Sequence, residues 1–463
     1  MSAIRRVVLL CSALLVSTVL ASAIAQAQST SAASASSGSR LPALLAAAQS
    51  TEMKPQTSGM EKYVGPGSCS AVACHGGIAP RNITKVLQNE YSTWVTQDRH
   101  ARAYTVLTGS LSRQMTAILK MGPAEHEQRC LVCHALSIDA AHKGREFDIA
   151  EGVSCENCHG PASAWLGPHI QPTAKHADMV RLGLVDNNNL AIRQERCLTC
   201  HLGAQGLDVD HELIAAGHPD LVFELDSYTA IEPPHWVEKD KDPLFGMKAW
   251  AVGQAVQLQA SMQRVSRRAK SGPWPEYSEM DCITCHHSLT GPESWRQKEG
   301  YGDHFPGDAP YNLARYVIFK HFAEEIDPST NRELEESASK VANLITTMSP
   351  DRAEVERDAN RTAEIAGRLI NEVQTARYDR ARDQRLMMAI ANDADAISKQ
   401  GERTAEQAFF SIDSLYIASA KDGDTRPETR AAIDKLLVLI KNPSGYNGPI
   451  FAAQMKQVAS TLR

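Results

Sequence analysis

Ten of the eleven cysteines fall into five pairs, and each pair runs directly into a histidine. The elements are Cys69-Ser-Ala-Val-Ala-Cys74-His75, Cys130-Leu-Val-Cys133-His134, Cys155-Glu-Asn-Cys158-His159, Cys197-Leu-Thr-Cys200-His201 and Cys282-Ile-Thr-Cys285-His286. Cys-x-x-Cys-His is the attachment signature of c-type haem. The two thiols add across porphyrin vinyl groups, and the next imidazole reaches the iron as its proximal ligand. Four elements have the two-residue gap; the first has four residues, a variant of the same signature. A disulfide framework needs no histidine after each second cysteine, and it belongs to small domains with poor cores rather than to 463 residues. Zinc sites favour a reducing compartment and sets of four ligands, and they do not explain the fixed step from cysteine to histidine. Five covalent haems, each with its iron, are therefore expected, with Cys69, Cys74, Cys130, Cys133, Cys155, Cys158, Cys197, Cys200, Cys282 and Cys285 as attachment points and His75, His134, His159, His201 and His286 as proximal ligands.

Such haems are attached outside the cytoplasm, and the N-terminus agrees. Arg5 and Arg6 precede a mostly apolar run from Val7 to Leu20, and Ala25-Gln26-Ala27 is an A-x-A site with cleavage expected before Gln28. Residues 1–27 read as a signal peptide that takes the remaining cysteine, Cys11, with it; an uncleaved signal anchor is the alternative. No later run approaches the roughly 20 apolar residues of a membrane helix, so a soluble periplasmic protein is expected. The formal charge is −6, and −8 without Arg5 and Arg6. Haem propionates would add to it. That balance disfavours nucleic acid and anionic membrane surfaces as partners, and suits a basic redox protein.

The fold class expected is mainly α with extensive loops: a multihaem domain organised around its cofactors, plus a C-terminal antiparallel helical module. Residues 28–60, rich in Ser, Ala, Thr and Gln, read as a disordered linker with a short helix at Leu41–Ala48. Residues 61–310 form the haem region, where porphyrins replace a side-chain core and helical periodicity is hard to read. From 311 to 463 the helix signals are strong. Thr330-Asn331-Arg332-Glu333 and Thr425-Arg426-Pro427-Glu428 fit capping boxes, and Ser349-Pro350 fits an N-cap followed by proline. Leu334, Val341, Ile345 and Met348, then Ile365, Leu369 and Val373, then Ile433, Leu436, Leu437 and Ile440 recur at helical spacing. The charged stretch from Asp379 to Arg385 reads as a solvated helix face.

Eleven further histidines stand outside the five elements. Two axial imidazoles saturate an iron and lower its potential relative to a His/Met pair. Five of the eleven would complete five irons, although methionine ligation of one iron is open. Tyr63-Val64-Gly65, Trp94 and Asp98-Arg99-His100-Ala101 resemble the opening of the multihaem cytochrome c-554 family. Gly152-Val153-Ser154 leading into the third element, followed by Gly160-Pro161, Trp165 and His169, is similar to that family and to the related hydroxylamine oxidoreductase group. Asp210-His211-Glu212-Leu213-Ile214-Ala215-Ala216-Gly217-His218-Pro219 resembles other multihaem members. The resemblance spans Tyr63 to Trp295 and leaves out the C-terminal helices; the fifth element and the wide first gap depart from the tetrahaem type.

That resemblance implies His100 and His169 as distal ligands, with His218 and His211 beside them. His304 follows the last element at a suitable loop distance and is taken as the fifth, ahead of His321. His287, His126, His142, His176 and His235 are read as ordinary or supporting histidines. Arg99, Arg102 and Arg196 are placed to pair with propionates. The function expected is an exported pentahaem cytochrome that relays electrons in respiration between redox proteins or a membrane-bound donor or acceptor. A homo-oligomer is allowed by the sequence. The alternative is a multihaem oxidoreductase with one open haem, acting on a small nitrogen or sulfur compound.

Overall fold

The computed structural model describes residues 61–81, 86–204, 206–238, 242–282, 285–286, 309–347, 349–423, 425–442 and 445–463. The expected signal peptide and linker, and Met348, His287, Trp295 and His304, lie outside the described residues. Among the described residues the fold is mainly α, with no strand beyond the isolated bridges Tyr63–Lys143 and Met280–Tyr311.

Short helices joined by loops and 3-10 turns build the first half: α1 (Glu90–Gln97), α2 (Ala103–Leu107), α3 (Ser110–Ile118), α4 (Gln128–His134), α5 (Cys155–His159), α6 (His176–Arg181), α7 (Leu190–His201), α8 (His211–Ala215) and α9 (Leu225–Ile231). Three haem elements end α4, α5 and α7. In a helix, positions i, i+3 and i+4 share one face, so both cysteines and the histidine of a two-residue-gap element point the same way. The first element, with its wider gap, closes instead by turns, with the His75 amide donating to the Cys69 carbonyl at 3.2 Å. Among the described residues this half has two small apolar clusters of its own, around Leu107 and Leu131 and around Ala162 and Trp165, while Leu190, Leu198 and Phe223 join the larger core of the second half. So little side-chain core suits a region whose interior would be filled by porphyrin.

The second half is α10 (Phe245–Lys270), α11 (Ala314–Ile326), α12 (Pro328–Thr346), α13 (Arg352–Thr375), α14 (Arg380–Asn392), α15 (Ala394–Lys399), α16 (Glu402–Lys421), α17 (Pro427–Ile440) and α18 (Gly448–Thr461). One hydrophobic core runs through it from Leu190 to Ala459. The helical module therefore does not begin at residue 311. α10 is buried nearly all round, with Trp250, Val252, Ala255 and Val256 at most 1% exposed and Gln254 and Gln257 buried as well, and needs partners on both sides. It lies antiparallel to α13: Arg352 donates to the Ala269 carbonyl at 2.8 Å, Lys270 pairs with Glu356 at 3.1 Å, and Gln259 meets the Ala363 carbonyl at 3.4 Å. Its other side carries α7 and α9. Gly253 makes the second approach close, since a Cβ there would stand 2.9 Å from Leu225 Cβ.

Aspartates, rather than the hydroxyl residues read as caps, start the helices. Asp327 accepts from the Ser329 and Thr330 amides and is followed by Pro328, so α12 begins before the expected box. Asp351 caps α13 in place of Ser349, and α17 starts at Pro427 without a side-chain cap. A carboxylate accepts two amides and complements the helix dipole, which outweighs a neutral hydroxyl. The stretch from Asp379 to Arg385 is also less solvated than expected. Asp383 is fully buried, and Arg382 and Arg385 both pair with Glu325, at 2.9 and 2.5 Å.

Candidate haem-binding sites

Four of the five motif histidines stand opposite a second imidazole. The ring centroids of His75 and His169 are 6.3 Å apart, those of His100 and His201 6.2 Å, those of His134 and His218 6.3 Å, and those of His211 and His286 6.1 Å. Two imidazole nitrogens roughly 2.0–2.1 Å from one metal lie about 4 Å apart, which puts ring centres about 1.1 Å behind each nitrogen at roughly 6.3 Å. The spacing is that of two imidazoles on one iron, so the residues fit the group. The planes are near parallel in the first pair (11°), tilted by 31° in the His211 pair, and nearly perpendicular (88°) in the other two.

The outer ring nitrogens are mostly anchored. His75 Nδ1 lies 2.9 Å from Glu90 and His100 Nδ1 3.0 Å from Asp98, and these hydrogen bonds raise both imidazole pKa values. His134 Nδ1 donates to the Ala103 carbonyl at 2.9 Å, His218 Nδ1 to the Pro219 carbonyl at 2.7 Å, and His169 Nδ1 to the Leu166 carbonyl. An anchored Nδ1 sets the tautomer and aims Nε2 at the metal. Burial lowers His201 to about 4, keeping its ring neutral and fit to ligate. Phe223 packs on that ring at 4.9 Å and Trp165 on His169 at 5.6 Å.

Elements distant in sequence are stapled together. The Cys155 sulfur lies beside Cys69, and that of Cys200 beside Cys133. Glu156, 2% exposed, accepts from the amides of Val64 (2.9 Å), Gly65 (2.8 Å) and Ala162 (2.8 Å), tying the third element to the strand of chain that leads to the first. Trp94 Nε1 donates to the Val153 carbonyl at 3.1 Å. Gly160, in the left-handed region at φ 80°, turns the chain after His159 beneath the Gly183 carbonyl, where a Cβ would meet oxygen at 2.7 Å. Arg129, next to Cys130, forks onto Asp210 at 2.5 and 2.6 Å and reaches Glu212 at 3.0 Å, so the second element holds the helix that carries His211.

The fifth element meets the helical module. The His211 amide donates to Glu276 at 2.9 Å. Arg264 and Arg268 bind the buried Glu279; burial alone would raise that carboxyl, but the two guanidinium groups hold it at about 2. Arg403 of α16 pairs with Asp220 at 2.5 Å and donates to the Ser278 carbonyl at 2.7 Å. Of the arginines expected near propionates, Arg99 and Arg102 are exposed and Arg196 is half-buried.

Sequence reasoning missed Glu156, Arg129 and Glu276, whose only signal was a charged residue beside a cysteine or before a turn. It also gave no role to His235. His304, taken as the fifth distal ligand, lies outside the described residues, and His321 sits in the helical core with Asp393 at 3.0 Å.

No helix among the described residues is long and apolar enough to cross a membrane. No curated protein and no solved structure matches the chain. Residues 68–160, which hold the first three Cys-His elements, match the family described as cytochrome c554 and c-prime. That segment is similar to this family, and the match supports a c-type cytochrome of electron transfer with covalent haem c.

Proposed function

We propose that the protein is an exported, periplasmic pentahaem cytochrome that relays electrons through bis-histidine haems in respiratory electron transfer. The single observation that carries this reading is the set of four facing imidazole pairs, each at the spacing of a shared iron. Bound haem supplies the redox-active iron; the chain supplies fixed ligands, fixed distances and local fields. Arg5, Arg6, the apolar run from Val7 and the Ala25-Gln26-Ala27 site support export.

The staples between elements suggest the route. The first element lies by the third through Cys69 and Cys155, and the second by the fourth through Cys133 and Cys200. The third and fourth adjoin where α5 meets α7. Arg129 and Asp210 join the second to the fifth. Electrons would pass in the spatial order first, third, fourth, second, fifth.

A second reading, an oxidoreductase with one open haem acting on a small nitrogen or sulfur compound, is favoured by one observation. Among the described residues, no imidazole is recorded against His159 at the spacing of the other four. Low-temperature electron paramagnetic resonance (EPR) of the oxidised full chain distinguishes the two. Only low-spin haem and no reaction with cyanide or nitric oxide is expected for the relay. A high-spin fraction that binds either ligand would replace the relay reading with the enzyme.

A further inference from the structure

Among the described residues the third haem element is the one whose proximal histidine faces no ring at the spacing of the other four, and it lies second on the route, between the first and the fourth. We propose that His235 is the distal ligand of the haem held by His159, supplied by the loop that follows α9. This rests on the five-haem reading above.

A continuous hydrogen-bonded frame brings the loop to the third element. The Val185 amide donates to the His159 carbonyl at 3.0 Å, and Asn187 donates to the Cys158 carbonyl at 3.0 Å. The Asn187 carbonyl accepts from Arg193 Nε at 2.8 Å, and Arg193 forks onto Glu238 at 2.6 and 3.2 Å. Glu238 accepts from Trp236 Nε1 at 2.8 Å, and the Arg193 guanidinium lies over the Trp236 ring at 6.0 Å. Trp236 stands edge-on to His235 with ring centres 4.7 Å apart. From His159 to His235 each link is either a direct polar contact or a neighbour in sequence.

His235 is also dressed as the other ligands are. Its Nδ1 lies 3.2 Å from the Pro233 carbonyl, the same use of a backbone acceptor as in His134, His169 and His218. That leaves Nε2 free to coordinate. Two other histidines are committed elsewhere: His176 Nε2 bonds Asp186 at 2.8 Å, and His321 Nε2 bonds Asp393 at 3.0 Å. The same loop opens with Glu232, whose carboxylate groups with Asp98 and His100 within 4.8 Å. One short segment thus reaches the distal sides of both the third and the fourth haems.

The test compares His235→Ala and His304→Ala in the full-length exported protein, by intact mass, low-temperature EPR and magnetic circular dichroism. His235→Ala is expected to keep the wild-type haem count while one haem in five becomes high-spin and binds cyanide; added imidazole restores the low-spin state. His235→Met, a milder change should the alanine variant fail to fold, is expected to keep that haem low-spin with a methionine–iron charge-transfer band. Conversion to high spin by His304→Ala and not by His235→Ala would overturn the proposal. So would a high-spin haem in the wild type that both His235 variants leave unchanged. A wild-type haem count other than five would instead remove the underlying reading, whatever the spin states.

Discussion

At the scale of single residues, the groups behind the ligands are as informative as the ligands. Asp98 is 3% exposed and accepts from His100 Nδ1, giving that imidazole anionic character and favouring the oxidised iron it would serve. Asp98→Asn is expected to raise the midpoint potential of one haem with no loss of haem, read by spectropotentiometric titration. The ring planes add a spectroscopic expectation. Perpendicular imidazoles, as in His100–His201 and His134–His218, leave the iron d orbitals nearly degenerate and give strongly anisotropic EPR signals. The near-parallel rings of His75 and His169 lift the degeneracy and give an ordinary rhombic signal. The attachment cysteines and proximal histidines are read from the sequence because their chemistry requires a fixed spacing. His100, His169, His211 and His218 were named from local resemblance, and the structure sets each against a motif histidine. Which one meets which was not legible: His100 faces His201, a hundred residues on, because pairing is set by tertiary packing.

At the scale of helices, periodicity found the faces but not the edges. Ile365, Leu369 and Val373 line the buried side of α13 as their spacing indicates, and each is fully buried. Leu369→Ala is expected to cost about 2–5 kcal/mol in chemical denaturation, through lost burial and a cavity between α10 and α13. Asp351→Ala, removing two accepted amide bonds at the start of α13, is expected to cost about 1 kcal/mol. α10 escaped the sequence reading because Gln254, Gln257, Ser261 and Ser266 are buried among its apolar residues, so no clean stripe separates a core face from a solvent face. It was assigned to the cofactor region by its position between haem elements, yet it is the central strut of the helical core. The first turn of α16 makes a pH-dependent contribution. Burial raises Glu406 to about 9, and repulsion from Glu402 adds to it. Asp220, Arg403 and the Tyr228 ring flank this carboxyl. The folded state therefore holds a proton that the unfolded chain releases near its ordinary carboxyl pKa. Stability on this account falls as pH rises from about 4.3 toward 9. Glu406→Gln is expected to remove that slope and to stabilise the protein by about 1–2 kcal/mol near neutral pH, measured as denaturation midpoints from pH 5 to 9.

At the scale of the whole molecule, two sources of cohesion divide the chain. The helical half has a continuous apolar core, whereas the half holding the first four elements has small clusters and many polar staples. The second depends on its cofactors to fill space, so preventing attachment at one element is expected to unfold its surroundings while α10–α18 persist. The Cys155→Ala, Cys158→Ala double variant should show this as protease cleavage confined to residues before α10. The overall class, mainly α and built around haem, was legible because repeated attachment elements leave little freedom. The boundary was not, since a shift in composition at residue 311 does not mark where packing changes. The central claim is that all five Cys-His elements carry covalent haem in one relay. Intact mass spectrometry of the exported protein tests it most directly: the polypeptide mass plus five haems is expected, falling to four when Cys282 and Cys285 are replaced by alanine. Four haems in the wild type, or a count unchanged by that replacement, would contradict it.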